Sequence, residues 1–360
     1  CIMDSCVVRN NSAYEHSSVY AENGSKVSNC EFGGSTNRYS DYKGAYFNAS
    51  KVSNCKFGKT NGSGSCADIR NGSTMFNCVF EDITGITGNV LYVAGKSVAD
   101  SCQFLGNTTS GDLISLYDGV TLKRSRIVGN NITLNKLLYA SNYSTISNTL
   151  IIDNKSTSSY SLFYLYSNSM MVNCTFTNNS SNVGHQIHMS NSTLKNSIVV
   201  GNKRPAGYGS ILSLEGTNTV SHNMLEATVI GTDNIDATMK LVAFTDPENG
   251  DYSLTEKSYC INAGADVTDN VDLLGNARKQ GGAVDMGAIE SAYKEGVSFA
   301  KCGEIVYVKE GSKGDGSSWK SAFGNLQDAM SAASVDGKRH QIWVAAGTYT
   351  GDSTRSYVVN

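Results

Sequence analysis

Proline and tryptophan are nearly absent, with 2 of each in 360 residues, and charged side chains make up only 17% of the chain. So little proline excludes collagen-like and Pro-rich linker architectures. With 29 basic against 32 acidic residues, a formal charge of -3 and no polybasic block, the chain lacks the electrostatic footprint of a nucleic-acid or anionic-membrane binder. No apolar run approaches the roughly 18 residues a membrane helix needs. The opening CIMDSC has no charged segment followed by an apolar one, so any export signal is expected outside this sequence. Hydrophobic residues at 40% with low net charge exclude full disorder.

What is abundant is self-similarity. The segments VSNCEF, VSNCKF, MFNCVF, ADSCQF, ISNTLI, MVNCTF and LKNSIV recur between residues 27 and 199. Their Cys-type position falls at Cys6, Cys30, Cys55, Cys78, Cys102, Ser125, Thr149, Cys174, Ser197 and Asn223, a period close to 24. Apolar residues alternate two apart over short stretches, which is strand periodicity. Three strands per repeat are expected. The first carries inward pairs such as Leu91 and Val93, Ile114 and Leu116, or Leu212 and Leu214. The second carries one inward residue (Val27, Val52, Met75, Leu122, Ile146, Met171, Leu194). The third carries the Cys-type residue and the one two later (Phe32, Phe57, Phe80, Phe104, Ile127, Ile151, Phe176, Val199). Strands this short are stable only when coils stack at about 4.8 Å, so the pattern predicts an all-β, right-handed parallel β-helix of about 24 residues per coil.

Asn29, Asn54, Asn77, Asn148, Asn173 and Asn196 stand between the second and third strands. A one-residue bend there calls for the left-handed region, which Asn tolerates, and stacked amides can hydrogen-bond into a ladder. A second ladder is expected at Asn107, Asn130, Asn154, Asn179 and Asn202. Loops vary in length only after that second position, so loop-borne function is expected at that corner. Near residue 226 the repeat decays. Beyond it, Asn325 reads as an N-cap for Leu326, Ala329, Met330 and Ala333, and IWVAAGTY as a buried strand, a cap helix before a new coil.

Two blocks carry a family likeness. The stretch from Asp251 to Glu290, especially Asp272, Gly275, Asn276, Arg278, Asp285, Met286, Gly287, Ala288 and Glu290, resembles the closing segment of bacterial right-handed parallel β-helix surface proteins, the kind with a C-terminal anchor. The stretch from Ile305 to Tyr349 resembles the opening segment of the same family, and the central repeat is similar to the pectate-lyase-like superfamily. Phe104 to Asn107 and Phe176 to Asn179 are similar to the Phe and Asn repeat of polymorphic outer-membrane proteins. The resemblance implies part of a β-helix at residues 1–290 with closing segment 245–290, a linker at 291–303, and the cap and first coil of a following β-helix at 304–360. Neighbouring β-helix domains of the same or another chain are then the expected partners, and the location is extracellular or on a bacterial cell surface. Both ends fall inside a coil, which predicts an excerpt of a longer tandem array.

Six of the 10 cysteines, Cys6, Cys30, Cys55, Cys78, Cys102 and Cys174, occupy one inward row where Ser and Thr substitute. Neighbours in such a row stand about 4.8 Å apart, against the roughly 3.8 Å between Cβ atoms that a disulfide wants, so a thiol stack is expected. Outward on the first strand are Tyr20, Tyr46, Tyr92, Tyr139, Tyr164 and His188, with Tyr117 and Tyr166 two residues further on. Rings repeated at about 5 Å suit successive sugars through their faces and hydroxyls; equally, Tyr is simply at home on exposed sheet. Glu22, Asp68, Arg70 and Glu215 lie on separate coils of that face, Lys123, Arg124 and Arg126 form a basic spot, and His185 and His222 are scattered. No catalytic constellation stands out, and no cofactor is expected. Structural calcium at Asp266, Asp269 and Asp272 lacks EF-hand spacing, and an Asp272–Arg278 ion pair is the expected role there. Two functions follow: a non-catalytic β-helical rod, structural or adhesive, with glycan contacts along the Tyr face; or a polysaccharide lyase or glycoside hydrolase acting on acidic glycans.

Overall fold

The computed structural model describes residues 1–360 apart from 14–15, 35, 38–42, 60, 63, 208–209, 227–229, 239, 295–304, 334–339 and 350–360. Most of the expected linker, and Cys302, lie outside the described residues. In the coil that begins at Leu91 the strands are Leu91–Ala94, Val98–Asp100, Gln103–Leu105 and Thr108–Thr109. Each pairs in parallel with its equivalent one coil on: Leu91 with Ile114, Val98 with Thr121, Gln103 with Arg126 and Thr108 with Asn131. Stacking gives four sheets of nine, ten, eleven and eight strands, here the first to fourth. This is a parallel β-helix, consistent with the right-handed sense that parallel crossovers favour. The fourth strand is the difference from the sequence reading. At two residues in most coils it is too short to show alternation.

The interior is built of rows. Phe32, Phe57, Phe80 and Phe104 stack face to face with centroids 5.2, 4.7 and 4.9 Å apart, all buried. Val27, Val52, Met75, Leu122, Ile146, Met171 and Leu194 form the second-sheet row, and Leu91 and Val93, Ile114 and Leu116, Leu138 and Ala140, and Phe163 and Leu165 line the first. Leu214 departs from its expected inward place at 41% exposure, because it lies on the last strand of its sheet and no coil covers it.

Each bend carries a polar device. Asn29, Asn54, Asn77, Asn148, Asn173 and Asn196 all have φ between 48° and 53°, the left-handed region. Immediately after them, the thiols of Cys30, Cys55, Cys78, Cys102 and Cys174 donate to the carbonyl two residues back at 3.0 to 3.5 Å. Ser125, Thr149 and Ser197 make the same bond through their hydroxyls at 2.8 to 3.0 Å. A small inward donor is what the bend requires, and that is why Cys, Ser and Thr interchange. The described cysteines are all free thiols. Burial pushes Cys102 and Cys174 up to about 12.

The outer ladder is only half formed. Asn77 donates to Asn54 at 2.9 Å and Asn54 to Asn29 at 3.2 Å. Ser101 and Arg124 then occupy the bend, and of the next three Asn two turn to other partners. Asn148 donates to Asp269 at 2.8 Å, and Asn196 exchanges two hydrogen bonds with the Ala265 backbone at 2.7 and 2.9 Å. Asn173 is fully buried and its amide has no hydrogen-bond partner among the described residues. The inner ladder is complete: Asn107, Asn130, Asn154 and Asn179 each place their amide on the Oδ1 of the next Asn, ending at Asn202, at 2.9 to 3.1 Å.

Residues 244 to 291 fold back over the outside of the lower coils. A hairpin of Phe244–Asp246 and Asp251–Leu254 sets Tyr252 against Leu150 and Ile152, and Met286 and Ile261 pack with Ile198 and Val200. Those outward residues of the third sheet are apolar because they are covered. Four of the segment's charged residues, Asp272, Arg278, Asp285 and Glu290, are buried. Asp272 accepts the backbone N–H groups of Leu274, Asn276 and Glu290 at 2.8 to 2.9 Å rather than pairing with Arg278 as the sequence suggests. Arg278 instead lies 3.7 Å from Glu290 and donates to the Asp285 carbonyl at 3.0 Å. Burial, with the Asp285 charge second, pushes the Glu290 carboxyl up to about 7.

Residues 305–349 hold a separate apolar cluster around Val306, Val308, Phe323 and Ala329. Asn325 accepts the Asp328 backbone N–H at 2.8 Å, capping the helix Leu326–Ala333. Gln341–Val344 pairs in parallel with Ile305–Val308, yet Trp343 and Val344 are 45% and 44% exposed. Successive residues point to opposite faces, so the strand expected to be buried is open on both, at the edge of a sheet that has two strands among the described residues.

Candidate functional site

The closing segment covers part of the third sheet and leaves the outward face of the first sheet open. Tyr20, Tyr46, Tyr92, Tyr139, Tyr164 and His188 share one register row there, interrupted by Asp68 and Ser115. The second row, two residues on, interlocks with it. Where the first row has Ser115 the second has Tyr117, and where the first has Tyr92 or Tyr139 the second has Ala94 or Ser141.

The rings consequently stack from coil to coil in a zigzag. Centroids are 5.3 Å for Tyr92–Tyr117 and Tyr117–Tyr139, 5.7 Å for Tyr139–Tyr166, and 5.0 and 5.4 Å for His188 against Tyr164 and Tyr166. Tyr20 and Tyr46 form a separate stacked pair at 5.1 Å. Interplanar angles of 14° to 43° turn the ring faces toward neighbouring coils. The sequence reading offered ring faces to a glycan. The structure engages the faces with one another and leaves edges outward. Burial raises the phenol pKa of Tyr92, Tyr117 and Tyr166.

Charged groups join the ribbon at two places. Asp68 is fully buried and holds Arg70 through two bonds of 2.8 and 3.1 Å, and the guanidinium lies 4.9 Å from the Tyr92 centroid. Three coils further on, Lys136 reaches back from the loop before its strand. Its Nζ is 4.6, 5.3 and 5.7 Å from the rings of Tyr160, Tyr164 and Tyr139. The Asp112 carboxylate stands 3.9 Å away and accepts Ser115 Oγ at 2.9 Å and the Lys136 backbone N–H at 3.1 Å. Sequence reasoning missed Asp112, Lys136 and Tyr160. All three precede inward pairs of the first strand, at the variable corner the repeat identifies.

The remaining candidates do not assemble. Glu215 stands 3.7 Å from His188 Nε2, Glu22 accepts from Tyr20 at 3.1 Å, and Lys123 and Arg124 pair with Asp100. His185 Nδ1 bonds the Ser210 carbonyl at 2.9 Å, and His222 faces Asp233 at 3.7 Å. Asp266, Asp269 and Asp272 go to separate partners: Lys279, Asn148 and backbone amides. Among the described residues no three His, Cys, Asp or Glu side chains group as metal ligands do. A hollow of about 490 Å³ on the third sheet is lined by Gly33 and Gly58, and four of its charges pair as Arg9–Glu31 and Lys56–Glu81.

Among solved structures, the chain is similar to the crystal structure of pectate lyase Pel9A, at 17% identity and a TM-score of 0.41 over 74% of this chain and 72% of that one. No protein-family model matches the chain, and neither does any curated protein.

Proposed function

We propose that this chain is a non-catalytic β-helical rod of the extracellular space or cell surface, structural or adhesive, whose first sheet is a contact strip for an extended glycan. The observation that carries the reading is the continuous ring stack from Tyr92 through Tyr117, Tyr139, Tyr166 and Tyr164 to His188. A flat strip with a repeat near 5 Å matches a linear polymer better than a small compact ligand. The two buried carboxylates of this face are occupied by Arg70 and by Ser115 with Lys136, which favours binding over acid–base chemistry. Neighbouring β-helix domains of the same or another chain are the partners we assign to the open strand pair at Trp343. Glycan-array binding followed by titration of Tyr139→Ala and Tyr117→Ala tests the strip. The expected result is at least a tenfold weaker binding by either variant with unchanged melting. Wild-type affinity in both variants would sink it.

A further inference from the structure

The outward character of the ribbon follows from how its rings are used. Because their faces are turned to one another across coils, what remains toward solvent is the ring edge, the positive end of the aromatic quadrupole. Among the described residues, two cations on this face are held against those rings, Arg70 on Tyr92 and Lys136 among Tyr139, Tyr160 and Tyr164. The two buried carboxylates have their acceptor capacity occupied. Along the stack from Tyr92 to Tyr164 donors and positive edges face out and the two buried carboxylates do not; the exposed Glu22 and Glu215 stand at the two ends of the sheet.

Lys136 is the most constrained of these donors. Its side chain is 18% exposed, and Nζ donates one hydrogen bond, to Asn135 Oδ1 at 3.1 Å. Asp112 at 3.9 Å lies beyond hydrogen-bonding distance, so it offsets charge without engaging a proton. Among the described contacts, an ammonium fixed by three rings retains two N–H groups. We infer that the ligand of the strip is an acidic glycan and that Lys136, in its niche of Tyr139, Tyr160 and Tyr164, binds the anionic group of one sugar. This rests on the glycan reading of the ribbon. Arg70, three coils and about 14 Å away at ~4.8 Å per coil, is placed for a second, weaker charge contact. Two cations so far apart on a chain of net charge -3 suit a sparsely charged sugar polymer rather than a nucleic acid, whose phosphates call for a dense basic track.

The experiment is calorimetric titration of the intact chain with oligosaccharides of one backbone in neutral, carboxylated and sulfated forms, and with single-stranded DNA of matched length. The acidic forms are expected to bind about tenfold more tightly than the neutral one, the worth of one charge-assisted hydrogen bond partly offset by Asp112. The ratio between the carboxylated and sulfated arms tells which anion the niche takes. Lys136→Gln should remove most of the acidic preference, leaving only the smaller share that Arg70 supplies, with Lys136→Met as a check that retains the packing against the rings. Equal binding of neutral and acidic forms, an undiminished acidic preference in both variants, or tighter binding of DNA would overturn the inference while leaving the ribbon intact. Absence of binding by every sugar would overturn both.

Discussion

Asn154→Ala should be among the most damaging single substitutions in this chain, although it removes only a small polar side chain. Asn154 Nδ2 donates to the Ile127 and Ile152 carbonyls, each at 2.9 Å, and its Oδ1 is the acceptor of the Asn130 backbone N–H at 3.0 Å. Alanine leaves that buried N–H orphaned, at about 1–3 kcal/mol, and removes four further bonds of about 1 kcal/mol each, the two to carbonyls and the two ladder bonds with Asn130 and Asn179 at 2.9 Å. The total is about 5–7 kcal/mol. Asn54→Ala is the control. Its amide is exposed, so the loss is confined to alanine at φ 53°, about 1 kcal/mol. A third variant fixes the mechanism. Asn154→Asp keeps the acceptor but turns a carboxylate toward two carbonyl oxygens, so its folded pKa rises above the unfolded value near 3.9. Between those two pKa values the folded state binds the extra proton, and stability therefore falls as pH rises. Protonated Asp restores the acceptor and one donor of the amide, so Asn154→Asp should be more stable than Asn154→Ala at pH 3.5, though below wild type, and worse than Asn154→Ala at pH 7. Because a solenoid coil depends only on its neighbours, the measurement is amide exchange at coils flanking residue 154 alongside urea unfolding. Equal losses for Asn154→Ala and Asn54→Ala, or a pH-independent Asn154→Asp, would refute the ladder energetics.

Phe80→Ala, which removes a ring stacked at 4.7 and 4.9 Å on both sides, should cost about 3–5 kcal/mol in urea unfolding, and Phe32→Ala near the end of the row clearly less. Thiol reagent on the native protein at pH 8 should modify Cys1 rapidly and Cys102, Cys174 and Cys260 only after denaturation, since burial holds these three near 12; fast labelling of any of the three in the native state would contradict their placement. The carboxyl of Glu290, pushed up to about 7 in the fold from an ordinary 4.5, favours the protonated state, so its contribution is present below about 4.5 and is lost as pH rises toward 7. Amide exchange at Met286 to Glu290 should quicken across that window, and Glu290→Gln should flatten the change.

The period, the inward rows and the left-handed bends were legible because each is a local demand repeated coil after coil. The fourth strand was not, since two residues such as Thr108 and Thr109 carry no alternation. The docking of the closing segment leaves a trace in the sequence. Leu150, Ile151 and Ile152, and likewise Ile198, Val199 and Val200, are apolar on both faces of a strand, the mark of burial on both sides. The tyrosine rows were visible but their interlock was not, because ring orientation depends on which row carries Ser115 or Ala94 on the adjacent coil. Lys136 and Asp112 meet only through loops whose path no periodicity fixes.

The coil geometry also sets how the rod answers tension. Its backbone hydrogen bonds run along the long axis and its strands across it, so a pull applied end to end opens one coil's bonds in succession rather than shearing many together. Each coil of about 24 residues gives up ~4.8 Å of rod and releases roughly 80 Å of chain. The rod should therefore yield at low force over a long extension, absorbing work as a tether does, with the closing segment clamping the lower coils against the first loss.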